Sequence, residues 1–354
     1  MQARAESLPD GVGTAAVCEE SGEARQHSGT PPTFVKASGK IVAVGDVHGD
    51  IRKAITALGI AGVLAEDEAQ RPVWVGSDTV VVQLGDVLDR GDHEIGSVLL
   101  LRELDRQARL QGGAVYMLNG NHESLNVCGD FRYATPGGFR EAALAAGVRG
   151  DALRCVETTL RARLHMYAPG QPMARELAKN PTVLMVNDTL FAHGGVLPHH
   201  VKYGLEKLNA DVAAWMRGDC ACDGSHAAPP YLAMGDASSV MWNRQFGREK
   251  FTTQLERRRV CQALQGTLEM LGARQLVVGH TPQLGGANCE CNGRVWRIDV
   301  GMSSGVLNAV PQVLEIDNDK NGEVRVRLLT PAAPAGAVSA WAPNSAQLYP
   351  CGLC

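Results

Sequence analysis

Five times in this chain a short apolar run stops abruptly at a cluster of Asp, His or Asn. Ile41 to Val44 runs into Gly45-Asp46-Val47-His48-Gly49-Asp50, and Val80 to Leu84 into Gly85-Asp86-Val87-Leu88-Asp89-Arg90-Gly91-Asp92. Ala114 to Leu118 breaks into Asn119-Gly120-Asn121-His122-Glu123. Further on, Leu190 to Ala192 meets His193-Gly194-Gly195, and Leu276 to Val278 meets Gly279-His280-Thr281-Pro282. Apolar strands whose carboxyl ends carry the polar side chains belong to α/β architectures, where chemistry collects at strand ends. The reading stands or falls on whether the fold brings these ends together.

At 354 residues the chain can bury a substantial core as one large domain or two ordinary ones. A formal charge of -4 leaves no basic footprint for nucleic acid. No run approaches the roughly 18 apolar residues of a membrane span. Residues 1–39 mix Gly, Ser, Pro and Glu without periodicity and read as a disordered arm. Its acidic residues and missing apolar core fit neither a secretory signal nor an Arg-rich transit peptide, so the cytoplasm is the first expectation. An oxidising organelle compartment, such as the mitochondrial intermembrane space, is the alternative raised by ten cysteines. Cys220-x-Cys222, Cys289-x-Cys291 and Cys351-x-x-Cys354 are readable as surface thiols, disulfides or, at a tighter spacing than usual, zinc ligands.

Between the polar clusters the apolar periodicity turns helical. Ile51, Ala54, Ile55 and Leu58 form one stripe, and Ile95, Val98, Leu99, Leu101 and Leu104 a second that ends at Gly112-Gly113. Residues 66–78 read as a loop or short excursion. From 124 to 189 the chain becomes Ala- and Arg-rich, with three short helices predicted over 138–148, 152–168 and 172–179. Helices from about Gly204 to Arg217 and Lys250 to Leu271 follow, with strands near 183–192, 276–278, 295–300, 312–316 and 323–329. His93, His165, His199, His200 and His226 lack motif company and are expected at the surface. Asp50 and Asp92 suit caps or turns, and Glu123 a structural hydrogen bond.

Hydrolysing a phosphate ester means bringing a nucleophile past repelling oxygens and expelling a basic alkoxide. Two metal ions about 4 Å apart meet both demands, and they need a bridging carboxylate plus mixed His, Asp and Asn ligands. Imidazole and carboxylate suit Zn, Fe and Mn. The ordered strings GDVHGD (45–50), GDVLDRG (85–91) and GNHE (120–123), followed by isolated His193 and His280, resemble the phosphoprotein phosphatase (PPP-type) metallophosphoesterases. The branch they resemble is that of the Shewanella-like protein phosphatases. Asp50 ends the first motif where the animal-type enzymes usually carry Gln, and GNHE continues as Ser124-Leu125-Asn126-Val127-Cys128-Gly129-Asp130-Phe131-Arg132-Tyr133. The animal-type inhibitor-contacting SAPNYC-like string is missing.

The resemblance implies an α/β, calcineurin-like metallophosphoesterase fold, a central β-sandwich flanked by helices. It spans a catalytic domain at 40–330 with a helical insertion at 124–189, ahead of a flexible Cys-containing tail at 331–354. It implies two divalent metal ions, with Mn, Fe or Zn acceptable. Asp46 and His48 would hold the first, Asp86 would bridge, and Asn121, His193 and His280 would hold the second. His122 would be the general acid and Asp89 its orienting carboxylate. Arg90, Arg244, Asn121 and Arg132 would contact the substrate phosphate. The expected activity is hydrolysis of phosphoserine and phosphothreonine in proteins by direct attack of metal-bound hydroxide, with no nucleic-acid or membrane partner. The alternatives are a small-molecule or nucleotide phosphoesterase, such as a diadenosine-tetraphosphate hydrolase, and a catalytically silent binding protein. The second would require a missing ligand or acid, and none is missing.

Overall fold

A computed structural model describes residues 29–219, 230, 234–318, 324–331 and 347–348. The polar clusters emerge from two six-stranded sheets. One runs in the order β14 (Gln347–Leu348), β13 (Val324–Leu329), β12 (Val313–Asn318), β2 (Ile41–Val44), β5 (Val80–Gln83), β6 (Ala114–Met117). The other runs β1 (Phe34–Val35), β7 (Val183–Val186), β8 (Thr189–Ala192), β9 (Gln275–Val278), β11 (Val295–Arg297), β10 (Asn288–Glu290). Strands β2, β5 and β6 are parallel neighbours, as are β8 and β9, so their carboxyl ends open on one side of each sheet. Every residue of β2, β5, β7, β8 and β9 is buried. That explains why they are rich in Val and Leu and do not alternate with polar residues, since strands covered on both faces have no solvent face to alternate with.

Parallel neighbours need crossovers. Helix α1 (Ile51–Ile60) follows β2, capped by Asp50, whose carboxylate accepts from Lys53 N at 3.2 Å. Helix α2 (Glu94–Arg109) links β5 to β6. The excursion between α1 and β5 is a small hairpin of β3 (Leu64–Glu66) and β4 (Pro72–Trp74). Past β6 come α3 (Asn121–Val127), α4 (Pro136–Ala145), a 3-10 turn at Gly150–Arg154, α5 (Val156–Tyr167) and α6 (Pro172–Leu177). Helices α7 (Pro198–Tyr203) and α8 (Leu205–Arg217) lie between β8 and the 234–253 loop, and α9 (Gln254–Leu271) leads to β9. Residues of both sheets belong to one contiguous apolar core.

The structure differs from the expectations in instructive places. Phe34–Val35, expected within the disordered arm, pairs in parallel with Met185–Val186, because an edge strand leaves backbone groups that even a polar segment can satisfy. Gln347–Leu348 likewise pairs with β13 inside the expected tail. Residues 1–28, 332–346 and 349–354 lie outside the described residues. The 183–192 run is a tight hairpin turning at Asn187-Asp188 rather than one strand. Asn121 to Val127, ahead of the three helices predicted for this region, is itself a helix whose first residues are the motif. His200 is fully buried rather than superficial, its Nδ1 accepting from Leu197 N at 2.9 Å; His226 lies outside the described residues. Cys289 is buried, while Cys291 is disulfide-bonded to Cys261 on α9, so the two cysteines of that C-x-C string are not bonded to each other. Cys220, Cys222, Cys351 and Cys354 lie outside the described residues.

Candidate metal centre

All five strand ends converge. Asp86, leaving β5, sits at the middle, 98% buried. His48 Nε2 and His122 Nε2 each lie 3.8 Å from its Oδ2, and His193 Nε2 lies 3.2 Å away. The trio of His48, Asp86 and His122 and the trio of Asp86, His193 and His280 each keep their potential ligand atoms within 4.8 Å of one another. Asn121 Oδ1 is 2.9 Å from His193 Nε2. Asp46 stands beside both histidines of the second sheet, 3.9 Å from His193 Nδ1 and accepting from His280 N at 3.1 Å.

The loops approach this closely because of their glycines. A Cβ on Gly85, at φ 89°, would meet Gly120 N at 2.5 Å, and one on Gly120 would strike the Asp86 carboxylate. Five non-glycine residues of the site also hold positive φ: His48, Asp86, Asp89, Arg90 and His280. Such strain persists only where the surroundings over-determine it, and here hydrogen bonds do so. Asp86 O accepts from Val47 N and His48 N at 3.1 and 2.9 Å. The Glu123 carboxylate collects the amides of Gly120, Asp86, Val87 and Leu88 at 2.7, 2.8, 2.9 and 3.1 Å, tying the second motif to the third.

Hydrogen bonding also fixes which ring nitrogens face inward. His48 Nδ1 is satisfied by Leu88 O at 3.0 Å and His193 Nδ1 by Leu84 O at 2.8 Å, leaving each Nε2 for the centre. His193 Nε2 faces the oxygens of Asn121 and Asp86 at 2.9 and 3.2 Å, so three potential ligand atoms share one point. A cation there would be held by all three. The surrounding electrostatics agree. Burial, with Asp299 and then Asp86 alongside, pushes the Asp46 carboxyl well above its usual range. Burial raises Asp299 to about 6 and Glu123 to about 7, the latter with Asp86 as the next cause. His280 is pushed down to about 2 by burial and then by His193. Burial disfavours the His193 imidazolium too, but Asp86 outweighs it and the pKa is raised. A buried nest of carboxylates and imidazoles fits divalent cations with hard and borderline ligands.

A match to the calcineurin-like phosphoesterases covers residues 39–284 and so contains every one of these ligand candidates. The chain belongs to the calcineurin-like phosphoesterase family. It is 37% identical to Shewanella-like protein phosphatase 2 of Arabidopsis thaliana over 339 residues, covering 86% of this chain and 82% of the relative. Shewanella-like protein phosphatase 1 of Plasmodium berghei is 29% identical over 296 residues, covering 82% of this chain and 75% of the relative. A cold-active protein-tyrosine phosphatase of a psychrophilic Shewanella species shares the fold, with a TM-score of 0.61 at 23% identity over 84% of this chain and 79% of that one.

Within this phosphoesterase, His122 Nδ1 meets Asp89 Oδ2 at 2.6 Å. Burial disfavours the His122 imidazolium, but Asp86 and Asp89 outweigh it and the pKa is raised. The arginines differ sharply. Arg90 stacks its guanidinium 4.9 Å over the Tyr133 ring, itself 5.0 Å from the His122 ring, and keeps a buried Nε without a partner. Arg244 Nη1 donates to His280 O at 3.0 Å, beside the second histidine pair. Arg132 is exposed and bound by Asp130 at 2.6 Å. It lines a cavity of about 370 Å³ with Leu125, Cys128, Tyr133 and Trp242.

Three buried groups and the half-buried Trp242 escaped the reading of the sequence. Asp299 stands two residues past the end of β11, a buried acid at a strand end that could have been flagged like the other five. Trp242 accepts His280 Nε2 on its carbonyl at 3.2 Å. Glu94 and Arg163 carry no motif at all; Glu94 accepts from Asp89 N at 2.6 Å.

Proposed function

We propose that this phosphoesterase is a phosphoprotein phosphatase that hydrolyses phosphoserine and phosphothreonine in one displacement, without a covalent phosphoenzyme. The observation that carries this reading is the His122–Asp89 pair facing the ligand cluster across Asp86. An alkoxide leaving group is far more basic than a phenolate and gains most from a positioned acid. Relatives named as protein phosphatases along most of the chain support the protein substrate.

Asp46, His48 and Asp86 would hold one divalent cation, and Asp86, Asn121, His193 and His280 the other. When bound, the pair supplies Lewis acidity and lowers the pKa of the attacking water. The chain's own residues do the rest. Arg90, with its orphan Nε, and Arg244 grip the phosphoryl oxygens and orient the ester. Arg132, at the rim, is left to the protein part of the substrate. His122 delivers a proton to the departing serine or threonine oxygen, with Asp89 fixing the ring so that Nε2 carries it. Asp299 shares the load of Asp46 and keeps that carboxylate aimed into the centre.

A second reading, phosphotyrosine hydrolysis, draws on the cavity walled by Leu125, Tyr133 and Trp242, which suits an aryl ring. Matched phosphoserine, phosphothreonine and phosphotyrosine peptides, assayed with manganese alongside the metal content of the purified protein, separate the two. Preference for diadenosine tetraphosphate, or turnover indifferent to chelation, would overturn both. The Cys261–Cys291 disulfide supports an oxidising compartment over the cytosol. No helix among the described residues is long and apolar enough to cross a membrane.

A further inference from the structure

Behind the His122–Asp89 pair lies a buried ionic cluster that the reaction does not touch. Arg163, on α5, is fully buried, as are Glu94, Asp89 and Asn126. Its fork grips Glu94 with both ends, Nη1 to Oε2 at 2.6 Å and Nη2 to Oε1 at 3.0 Å. Nη2 also reaches Asp89 Oδ1 at 3.3 Å and Asn126 Oδ1 at 2.6 Å, and Nε donates to Asn126 at 3.1 Å. The guanidinium is wedged among the rings of Tyr167, Phe131 and Phe139, at 4.8, 5.2 and 5.3 Å. At Gly138 on α4 an added Cβ would press on Glu94 at 2.8 Å and on Arg163 at 3.3 Å, so the helix backbone closes the remaining side.

The two oxygens of Asp89 are divided between two tasks. Oδ1 is held by Arg163 and by Asn126 Nδ2 at 3.1 Å, and Oδ2 is thereby aimed at His122 Nδ1. Asn126 Nδ2 also donates to His122 O at 2.9 Å, so one amide registers both members of the pair. Glu94 completes the clamp by accepting the Asp89 amide, which holds that residue at its positive φ of 67°.

We propose that Arg163, through Glu94 and Asn126, is a positioning residue that sets the orientation of Asp89 and so the delivery of the proton by His122. The inference rests on the phosphatase reading above. It makes the helical segment after the third motif a working part of the acid rather than only a cover. Arg163 touches neither substrate nor the ligand cluster, so its loss should be felt only where proton delivery is felt.

That selectivity is the test. Arg163→Lys keeps the charge and loses the fork. Glu94→Gln combined with Arg163→Met removes the ion pair as a unit, which buried pairs tolerate far better than loss of one partner. Both are assayed as manganese-loaded protein on a phosphoserine peptide and on p-nitrophenyl phosphate, whose leaving group needs little acid assistance. The expected result is a fall in kcat on the peptide on the order of 10²-fold, with kcat on p-nitrophenyl phosphate within about threefold of wild type and metal content unchanged. In a His122→Asn background the same changes should cost almost nothing more, because coupled residues are not additive. Equal losses on both substrates, no loss on either, or full additivity with His122→Asn would overturn the role of Arg163 while leaving the phosphatase standing. Wild-type protein inert toward both substrates would instead overturn the phosphatase reading and this one with it.

Discussion

The two halves of the centre are built by different means. The half on β2, β5 and β6 supplies Asp46, His48, Asp86, Asp89, Asn121 and His122 from continuous motif strings, bound together by side-chain carboxylates. Glu123 gathers four amides, and Arg163 locks Asp89. The half on β8 and β9 supplies one histidine per strand end, and each leans on a backbone carbonyl, His193 on Leu84 and His280 on Trp242. Leu84 belongs to the first half, as does the Asp46 carboxylate that receives His280 N. The second half is thus registered on the first by bonds that cross between sheets. On the proposed reading the first half holds the acid and its clamp, and the second completes the ligand set.

If Asp86 is what the halves share, Asp86→Asn should cause the largest loss of any single change. Turnover should fall beyond the roughly 10⁴-fold that marks removal of a general acid, with bound metal dropping for both ions in elemental analysis. Retention of one full equivalent of metal would show that the halves bind independently. His122→Asn should cost about 10² to 10⁴-fold in kcat on alkyl phosphates while both metals stay. Loss of a metal in that variant would make His122 a ligand, as its place in a trio with His48 and Asp86 permits.

The same asymmetry governs what could be read from the sequence. The first half was legible because its groups lie within a few residues of one another, each string closing a loop around a strand end. His193 and His280 were legible only as the continuation of that pattern, since a histidine after an apolar strand is ordinarily a core residue. Arg163 was illegible. Nothing in the stripe of α5 distinguishes it from Arg161, which is exposed and pairs with Glu157 at 2.6 Å. Its burial depends on three rings, of which Phe131 and Phe139 come from distant turns of chain. The edge strand at Phe34–Val35 was illegible for a related reason, because two residues of pairing leave no periodicity to detect.

Acid sensitivity beside the second half has a residue to test. His200, on the helix that follows β8 and His193, is held down to about 4 from 6.5 by burial and then by neighbouring His199. A lowered folded pKa means that the unfolded chain takes the proton first. The stability associated with neutral His200 is therefore complete above 6.5 and is lost as pH falls through 4. The loss amounts to at most about 3 kcal/mol. His200→Gln, which can still accept from Leu197 N, should flatten the fall in urea midpoint between those pH values. A wild-type slope in the variant would assign acid sensitivity elsewhere.

Arg90 tests the first half from the substrate side. Its buried Nε lacks a partner, and a charged hydrogen bond to phosphate is worth roughly 1.5 to 3 kcal/mol. Arg90→Ala should accordingly raise the inhibition constant of free phosphate by about one to two orders of magnitude. An unchanged constant would remove Arg90 from phosphate binding.

Arg132 should give the smallest effect, and it is the sharpest check on where the first half ends. Its guanidinium is exposed and committed to Asp130 at 2.6 Å, an arrangement that contributes little in water. To reach a phosphoryl group it would have to abandon that pair, a cost that Arg90 and Arg244 do not bear in the same way. Arg132→Ala should leave kcat and phosphate inhibition within about twofold, and raise KM for a phosphopeptide by no more than about fivefold. Because Arg132 shares a cavity with Trp242, any change should track the residues flanking the phosphoserine rather than the phosphate. A loss of phosphate inhibition equal to that of Arg90→Ala would mean that Asp130 surrenders its partner when substrate arrives, and that the phosphate-binding surface extends out to the rim.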